Sequence, residues 1–316
     1  MHKGTITYHF SDNLGDYIQT LAASKLLGPG PYTHCDREQL HAYHGPEVAL
    51  LMNGWFMANP KHWPPAQGIR PLMLSMHVNP TAAAGMLTGK GLEYFKKHGP
   101  IGCRDHYTLR LLQQKGISAY FSSCLTLTLQ RSDWVPKNTP RKGILVLSAL
   151  DRLLPNRKAL WQQKKFVQWG IQTLKHPFKL RQALKAQNHL QHFLAKQSKP
   201  ISYASQIVPT PLEDNAAYFE AASEQLKKIA SAELVITSRI HTALPAVALG
   251  TPVVFLADGL QHPNQMSRLE GLTDLFPVCA AQNLDTRAIE ALQPSQKHRA
   301  IAAGIREAVA AFLKSF

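Results

Sequence analysis

Acidic residues, cysteines and long apolar runs are what this chain has least of. Its 316 residues include 20 Asp and Glu against 35 Lys and Arg, a formal charge of +15. The shortage of acids is sharpest from Arg141 to Pro200, where Asp151 stands alone. Such a balance fits a surface that meets polyanions or an anionic membrane, or else a solvated helical face that keeps the protein soluble. Nucleic acid is disfavoured, because no zinc-finger or RNP-type motif accompanies the charge. The four cysteines (Cys35, Cys103, Cys124 and Cys279) are scattered, with no CxxC pair. That pattern points away from a zinc site or disulfide framework and predicts a reducing, cytoplasmic setting. No apolar run approaches the roughly 20 residues that cross a bilayer. The first ten residues lack a signal-peptide core, so export is not expected.

What is present begins with the segment from Leu234 to Leu256. Leu234 to Thr237 reads as a buried strand and Pro252 to Leu256 as its neighbour, with helical spacing between them that ends at Gly250. Ser238, Arg239 and His241 fall where the first strand ends and a helix starts near Thr242, the usual place for ligands in open α/β sheets. Pro245 is compatible with such a start, since early helical N–H groups lack internal partners. A cation and an imidazole beside a positive helix terminus suit an anionic ligand.

The rest of the chain alternates in the same way. Strands are predicted at Gly4 to Phe10, Val48 to Met52, Pro71 to Met76, Ile101 to Asp105 and Ala119 to Ser122. Helices are predicted at Tyr17 to Leu27, Gly91 to Lys97 and Tyr107 to Lys115. Arg131 to Lys142, polar and with two prolines, is the best candidate linker. Beyond it come a strand at Ile144 to Leu147, a basic helical stretch from Leu160 to Lys196 broken near Pro177, and a strand at Ser202 to Pro209. Helices at Ala216 to Ile229 and Lys297 to Leu313 complete the pattern. The expectation is an α/β protein of two Rossmann-like domains with a cleft between them: 1–139, 140–296, and a last helix, 297–316, packing back on the first domain.

Several residues at predicted strand ends carry chemistry. Asp12, Asn13, Gly15 and Asp16 lie in the first βα loop, which lacks the GxGxxG spacing of a dinucleotide site. Its carboxylates suit hydroxyls or a metal, and Asp16 equally suits an N-cap for the helix at Tyr17. Arg104 can hold a carboxylate or phosphate with paired hydrogen bonds, or form a structural pair with Asp105. His77 ends another predicted strand, and a lone histidine there is more often a structural donor than a catalyst. Trp55, Phe56 and Met57 read as core or cleft wall.

Together these segments resemble a known family. Ser238-Arg-Ile-His241 followed by Ala243 to Pro252 looks like the signature of the polysaccharide pyruvyl transferases, and Asn13-Leu-Gly-Asp16 is similar to their first-loop motif. Asn53 to Met57, Ile101 to Thr108 and Tyr120 to Thr128 resemble segments of compact bacterial members. The resemblance runs from about Ile6 to Leu272 and thins across Arg152 to Lys199.

The family implies a GT-B-like fold and transfer of a pyruvyl group from phosphoenolpyruvate to two sugar hydroxyls as a cyclic ketal. On matching motifs it implies roles for Arg104, Arg239 and His241, then for Asn13 and Asp16. Ser238 and Asn53 join them as substrate-binding candidates. Many members carry a lysine downstream of the strand after the signature, where this chain has Gln265 and Arg268, so Arg268 becomes a candidate for the phosphate. On this reading His241 is first choice for proton transfer, His77 second, and Asp16 orients or deprotonates the acceptor. No cofactor or metal is called for, since arginine can neutralise the departing phosphate. The implied partners are phosphoenolpyruvate and a sugar or lipid-linked oligosaccharide, with peripheral contact at the inner membrane through the basic stretch. Two competitors remain at this point. One is a GT-B glycosyltransferase with a nucleotide-binding acid such as Glu213, Asp214 or Glu233; the other is a non-catalytic glycan- or polyanion-binding protein.

Overall fold

The computed structural model describes residues 1–8, 11–153, 175–260, 263–285 and 292–316, with the single positions Gly170, Thr173 and Ile289. Its frame is two sheets in which every pairing is parallel. The first holds β1 (His2–Thr7), β2 (Tyr32–Asp36), β3 (Val48–Phe56), β4 (Ile69–Val78), β5 (Ile101–Cys103) and β6 (Ala119–Phe121), in the order β2-β1-β3-β4-β5-β6. The second holds β7 (Ile144–Leu147), β8 (Ile201–Ala204), β9 (Leu234–Thr237), β10 (Val253–Leu256) and β11 (Val278–Cys279), in the order β11-β10-β9-β7-β8. Counted from its own first strand, the second sheet repeats the order of the first. Each is doubly wound and Rossmann-like, and each changes winding direction beside its first strand, at β1/β3 and at β7/β9. Crevices outside the carboxyl ends of strands at such points are where open α/β sheets bind ligands.

The strand sequences explain the layers. In β3, Val48, Leu50 and Met52 face one apolar cluster and Leu51 the other; in β10, Val254 and Leu256 oppose Val253 and Phe255. Continuous apolar runs are what strands covered on both faces require. One of these clusters takes a face of both sheets. It joins Leu51 and Leu74 of the first sheet to Leu145, Leu147, Val235 and Phe255 of the second. Between them lie helices α1 (Leu14–Leu27), α6 (Asn215–Ser231) and α7 (Ile240–Ala248). Tyr17 of α1 stacks on Tyr218 of α6 with ring centroids 4.6 Å apart. The helices α2 (Ala83–Met86), α3 (Gly89–Lys97) and α4 (His106–Gln114) follow strands of the first sheet, and α5 (His176–Ala195) and α8 (Pro263–Met266) belong to the second half of the chain. The last helix, α9 (His298–Leu313), packs on Leu125–Thr128, α1 and β4.

Polar groups complete the joint. Asn13 Oδ1 accepts from Gln206 Nε2 at 2.7 Å, and Gln206 Oε1 accepts from Thr242 Oγ1 at 2.5 Å. Backbone bonds from Leu14 N to Gln206 O and from Val208 N to Asp12 O run alongside. The stretch expected to be a linker is clamped: Arg141 donates to the carbonyls of Ala230 and Leu249 at the ends of α6 and α7, and Arg131 donates to that of Ala230. Arginine suits those positions because the last helical carbonyls have no internal partner.

Some element boundaries differ from the expectation. Helix α1 begins at Leu14, and its cap is Asn13 instead of Asp16. The Asn13 side chain reaches Gly15 N at 3.1 Å, while Asp16 takes the hydroxyl of Ser11 at 2.7 Å. Strand β4 runs on to Val78, so His77 lies inside it. Of the short edge strands, β2 had no apolar run to mark it, and β11 is only two residues long. The first strand ends at Thr7, and the end expected at Phe10 lies outside the described residues, as does the helical stretch upstream of α5 from Leu160. Among the described residues no helix is long and apolar enough to cross a membrane.

Gly15 tests the closeness of the two halves. A Cβ there would lie 2.5 Å from Gln206 Nε2 and 2.8 Å from the His241 Cβ. Helix propensity alone favours alanine by about 1 kcal/mol, whereas overpacking costs about 1–3 kcal/mol. Gly15→Ala is therefore expected to lower the urea midpoint; an unchanged or higher midpoint would show that these helices do not approach so closely.

Candidate active site

The site is assembled from strand ends. Between β3 and β4 the register jumps, so that Asn53 stands against both Leu74 and Ser75. Ser75 accordingly has φ 59°, and its N–H is taken by Ser122 Oγ at 3.1 Å. A bulge of this kind re-aims the residues beyond it. Past it, His77 Nδ1 lies 2.6 Å from Asp105 Oδ2, both side chains fully buried. Asp105 caps α4 with its other oxygen, accepting from Thr108 N at 2.9 Å. Burial holds His77 down to about 4, with Arg104 and Arg268 adding to the effect and Asp105 opposing it. Burial also works against an ionised Asp105, but His77, its hydrogen bond, Arg104 and the Thr108 N–H keep that carboxyl below its ordinary value. The pair is therefore a neutral imidazole on a carboxylate.

The facing wall comes from α1 and α7. Helix α7 starts at Ile240, two residues before the start expected at Thr242, with Arg239 at its N-cap, and His241 has ψ 17°, outside the helical range. Pro245 accounts for this: it lacks an N–H, and its ring crowds the carbonyl four residues back, which is that of His241. The His241 ring is thereby turned toward α1, where Nδ1 lies 3.4 Å from Gln19 Nε2. Burial, then the charges of Arg104, Arg268 and Arg152, keep this imidazole neutral, well below its ordinary pKa. Arg104 and His241, from opposite halves, thus share one enclosure.

Positive charge dominates that enclosure. Arg104 is completely buried; its Nε lies 3.8 Å from Asp105 Oδ2, yet among the described residues none of its three side-chain nitrogens has a hydrogen-bond partner. The Nε atoms of Arg268, Arg239 and Arg152 are likewise buried without partners. Burial and then Arg104 bring Arg268 down to about 10; burial, Arg239 and Arg268 bring Arg152 down to about 9. Arg268 and Arg152 thus remain charged at neutral pH. Arg239 has one acid nearby, Asp151, at 3.5 Å. Burial raises the pKa of Asp16, and Arg37, the Ser11 hydroxyl, Arg268 and Arg104 oppose that rise. Buried charges of one sign with unmet donors are a receptor for a compact polyanion.

The candidates named from sequence do not all contribute in the same way. Arg104 and Arg268 lie within electrostatic reach of His241, His77 and Asp16, and Arg239 lies within reach of Arg268. Asn53 is buried with both amide atoms unpartnered. The Asn13 amide oxygen is engaged by Gln206 and Gly15, and the Ser238 hydroxyl is bonded to the Ser148 carbonyl at 2.8 Å. Gln265 leaves its amide oxygen without a partner. Asp105, Gln19 and Arg152 were missed. Arg152 follows the end of β7, so the strand-end rule applied there would have found it. The acids considered for a nucleotide are otherwise occupied: Asp214 caps α6 and Glu233 lies 2.6 Å from Lys199, while Glu213 is exposed. Among the described residues no group of three or more His, Cys, Asp or Glu side chains is gathered to hold a metal.

Comparison with known proteins adds a family. The family model described as Polysaccharide pyruvyl transferase matches residues 87–259, more than half of the chain, from α3 to the loop after β10. No curated protein matches. Among solved structures, the Methanocaldococcus jannaschii UDP-GlcNAc 2-epimerase in complex with UDP-GlcNAc and UDP is similar at 9% identity and a TM-score of 0.42. The alignment covers 97% of this chain and 99% of that one.

The unpartnered guanidinium of Arg104 yields a prediction about stability. Replacing a buried charge by an apolar side chain of similar length is often stabilising by about 1–4 kcal/mol. Arg104→Met is expected to raise the thermal midpoint of the protein. A lower midpoint would mean that Arg104 is held by interactions within the chain.

Proposed function

The chain belongs to the polysaccharide pyruvyl transferase family, and from that premise we propose that it moves the pyruvyl group of phosphoenolpyruvate onto two hydroxyls of one sugar. The product is a cyclic ketal on a bacterial surface polysaccharide or its lipid-linked precursor. The observation that carries this reading is the Arg104 guanidinium, buried with three unmet nitrogens beside Arg268 and facing His241. Phosphoenolpyruvate is a compact anion with a carboxylate and a phosphate, and it needs at least two cationic grips. Arg104 from the first half and Arg239 from the second take its two ends, with Arg268 between them. Bidentate guanidinium contacts fix orientation as well as charge, which places C2 for attack by the acceptor hydroxyl. Proton transfer falls to the buried histidines, Asp16 orients the acceptor, and the arginines neutralise the departing phosphate. No cofactor enters this scheme.

Arg239→Ala is expected to weaken phosphoenolpyruvate binding at least tenfold in calorimetry, the scale of a lost charged hydrogen bond. His241→Ala is expected to lower turnover more than affinity. The decisive assay is mass spectrometry of candidate glycans incubated with the protein and phosphoenolpyruvate, alongside phosphate release. Nucleotide release from a sugar nucleotide instead would favour a glycosyltransferase.

The acceptor class also motivates a place for the protein, and we propose peripheral contact with the inner face of the plasma membrane through α5. Its sequence has no acid, carries Lys179, Arg181 and Lys185, and exposes Phe178, Leu180 and Leu184. Each basic residue near an anionic surface contributes about 1 kcal/mol. Lys179→Glu with Arg181→Glu should weaken binding to phosphatidylglycerol vesicles by more than about tenfold with folding unchanged. No vesicle binding by the wild type would end the proposal.

A further inference from the structure

The two buried histidines are locked in opposite tautomers, and this divides their labour. Asp105 is ionised and can only accept, so His77 carries its hydrogen on Nδ1 and presents a lone pair at Nε2. The second ring is fixed through an amide. Gln19 Nε2 lies within reach of the Gly15 carbonyl at 3.3 Å and of Asp16 Oδ1 at 3.5 Å, so this end of the amide is the NH2 donor. His241 Nδ1 therefore accepts from it, and the ring hydrogen sits on Nε2. Both Nε2 atoms are buried with no hydrogen-bond partner among the described residues. One can only take a proton and the other, while neutral, can only offer a hydrogen bond.

We infer that His77, positioned by Asp105, is the base that removes the acceptor hydroxyl proton and returns it to C3 of the enol, while His241 donates a hydrogen bond to a donor-substrate oxygen; this rests on the phosphoenolpyruvate reading above. In the first half of the reaction the acceptor O–H breaks, its proton passes to His77 Nε2, and the oxygen pair forms a bond to C2. The C2=C3 π pair takes that proton from the imidazolium at C3, so His77 is neutral again and a tetrahedral phospho-ketal remains. In the second half the other hydroxyl loses its proton to His77 and bonds C2. The C2–O bond to phosphate breaks with its electron pair on phosphate, which takes up the proton. His241 Nε2–H strengthens its hydrogen bond as charge collects on that leaving oxygen.

The surroundings suit the timing. His77 is faced by Asp105, Tyr107 and Thr108 of α4, by Arg104 after β5, and by Arg268 in the turn after α8. Without substrate, burial first and then the two arginines hold the ring unprotonated. An anion that offsets them raises its affinity for a proton only once the donor is in place. A purely structural tie between β4 and α4 would need only the Nδ1 hydrogen and would leave a costly unmet lone pair on the other nitrogen.

Three measurements test this. Nitrogen-15 NMR of histidine-labelled protein should find His77 as the Nδ1–H and His241 as the Nε2–H tautomer; the reverse at either ring overturns the assignment without reference to activity. His77→Gln should lower kcat at least 100-fold, the scale of general acid–base catalysis, with phosphoenolpyruvate affinity within threefold. It should also remove the acid limb of the wild-type pH–rate profile, on which rate rises with pH as His77 loses its proton. Asp105→Asn, which keeps an oxygen for the α4 cap, should show the same kcat loss with a shifted limb. Near-wild-type kcat in a folded His77→Gln overturns the base assignment alone. A wild type that releases no phosphate from phosphoenolpyruvate in the presence of acceptor glycans overturns the functional reading beneath it.

Discussion

Like charge forced together out of water is the constraint to which the rest of the molecule answers. Arg104, Arg268, Arg239 and Arg152 each lower or oppose the charge of a neighbour, and each keeps at least one buried nitrogen without a partner. Isolated burial of such groups costs several kcal/mol per ion, a sum comparable with the whole stability of an ordinary domain, about 5–15 kcal/mol. The apolar cluster shared by both sheets offsets that repulsion, helped by the Tyr17–Tyr218 stack and the Asn13–Gln206–Thr242 chain. The scaffold is extensive because the site works against it.

The same economy of parts runs through the site's neighbours. Helix α1 supplies Asp16 and Gln19 to the enclosure and Tyr17 to the interface one residue apart, so chemistry and packing are rigidly coupled. Pro245 bends α7 where His241 must turn, and Asp105 both starts α4 and fixes the His77 tautomer. Such double use explains why polar residues that look structural, Gln19 and Asp105 among them, govern which nitrogen of each imidazole is left without a partner among the described residues.

Much of the frame was legible in the sequence because parallel strands covered on both faces must be apolar throughout. Ile144–Leu147 and Leu234–Thr237 appear in the structure with the predicted ends, and Val253–Leu256 differs by one residue. Edge strands such as Tyr32–Asp36 escaped notice because partial exposure removes the need for an apolar run. The expected cap at Asp16 moved to Asn13 because two residues of similar capping power compete there, and only the partner across the interface, Gln206, decides between them.

By itself the sequence determined the alternation of strand and helix, the family motifs, and the reactive residues at the ends of β5 and β9, since these follow from periodicity and local chemistry. Tertiary structure alone decided that buried Arg104, Arg268 and Arg152 come within electrostatic reach of His241, and that Asp105 and Gln19 each face the Nδ1 atom of one imidazole. Those properties depend on groups distant in the chain, Gln19 against His241 and Asp105 against His77 being two cases. Burial, charge and hydrogen-bond direction are set only when such distant groups meet.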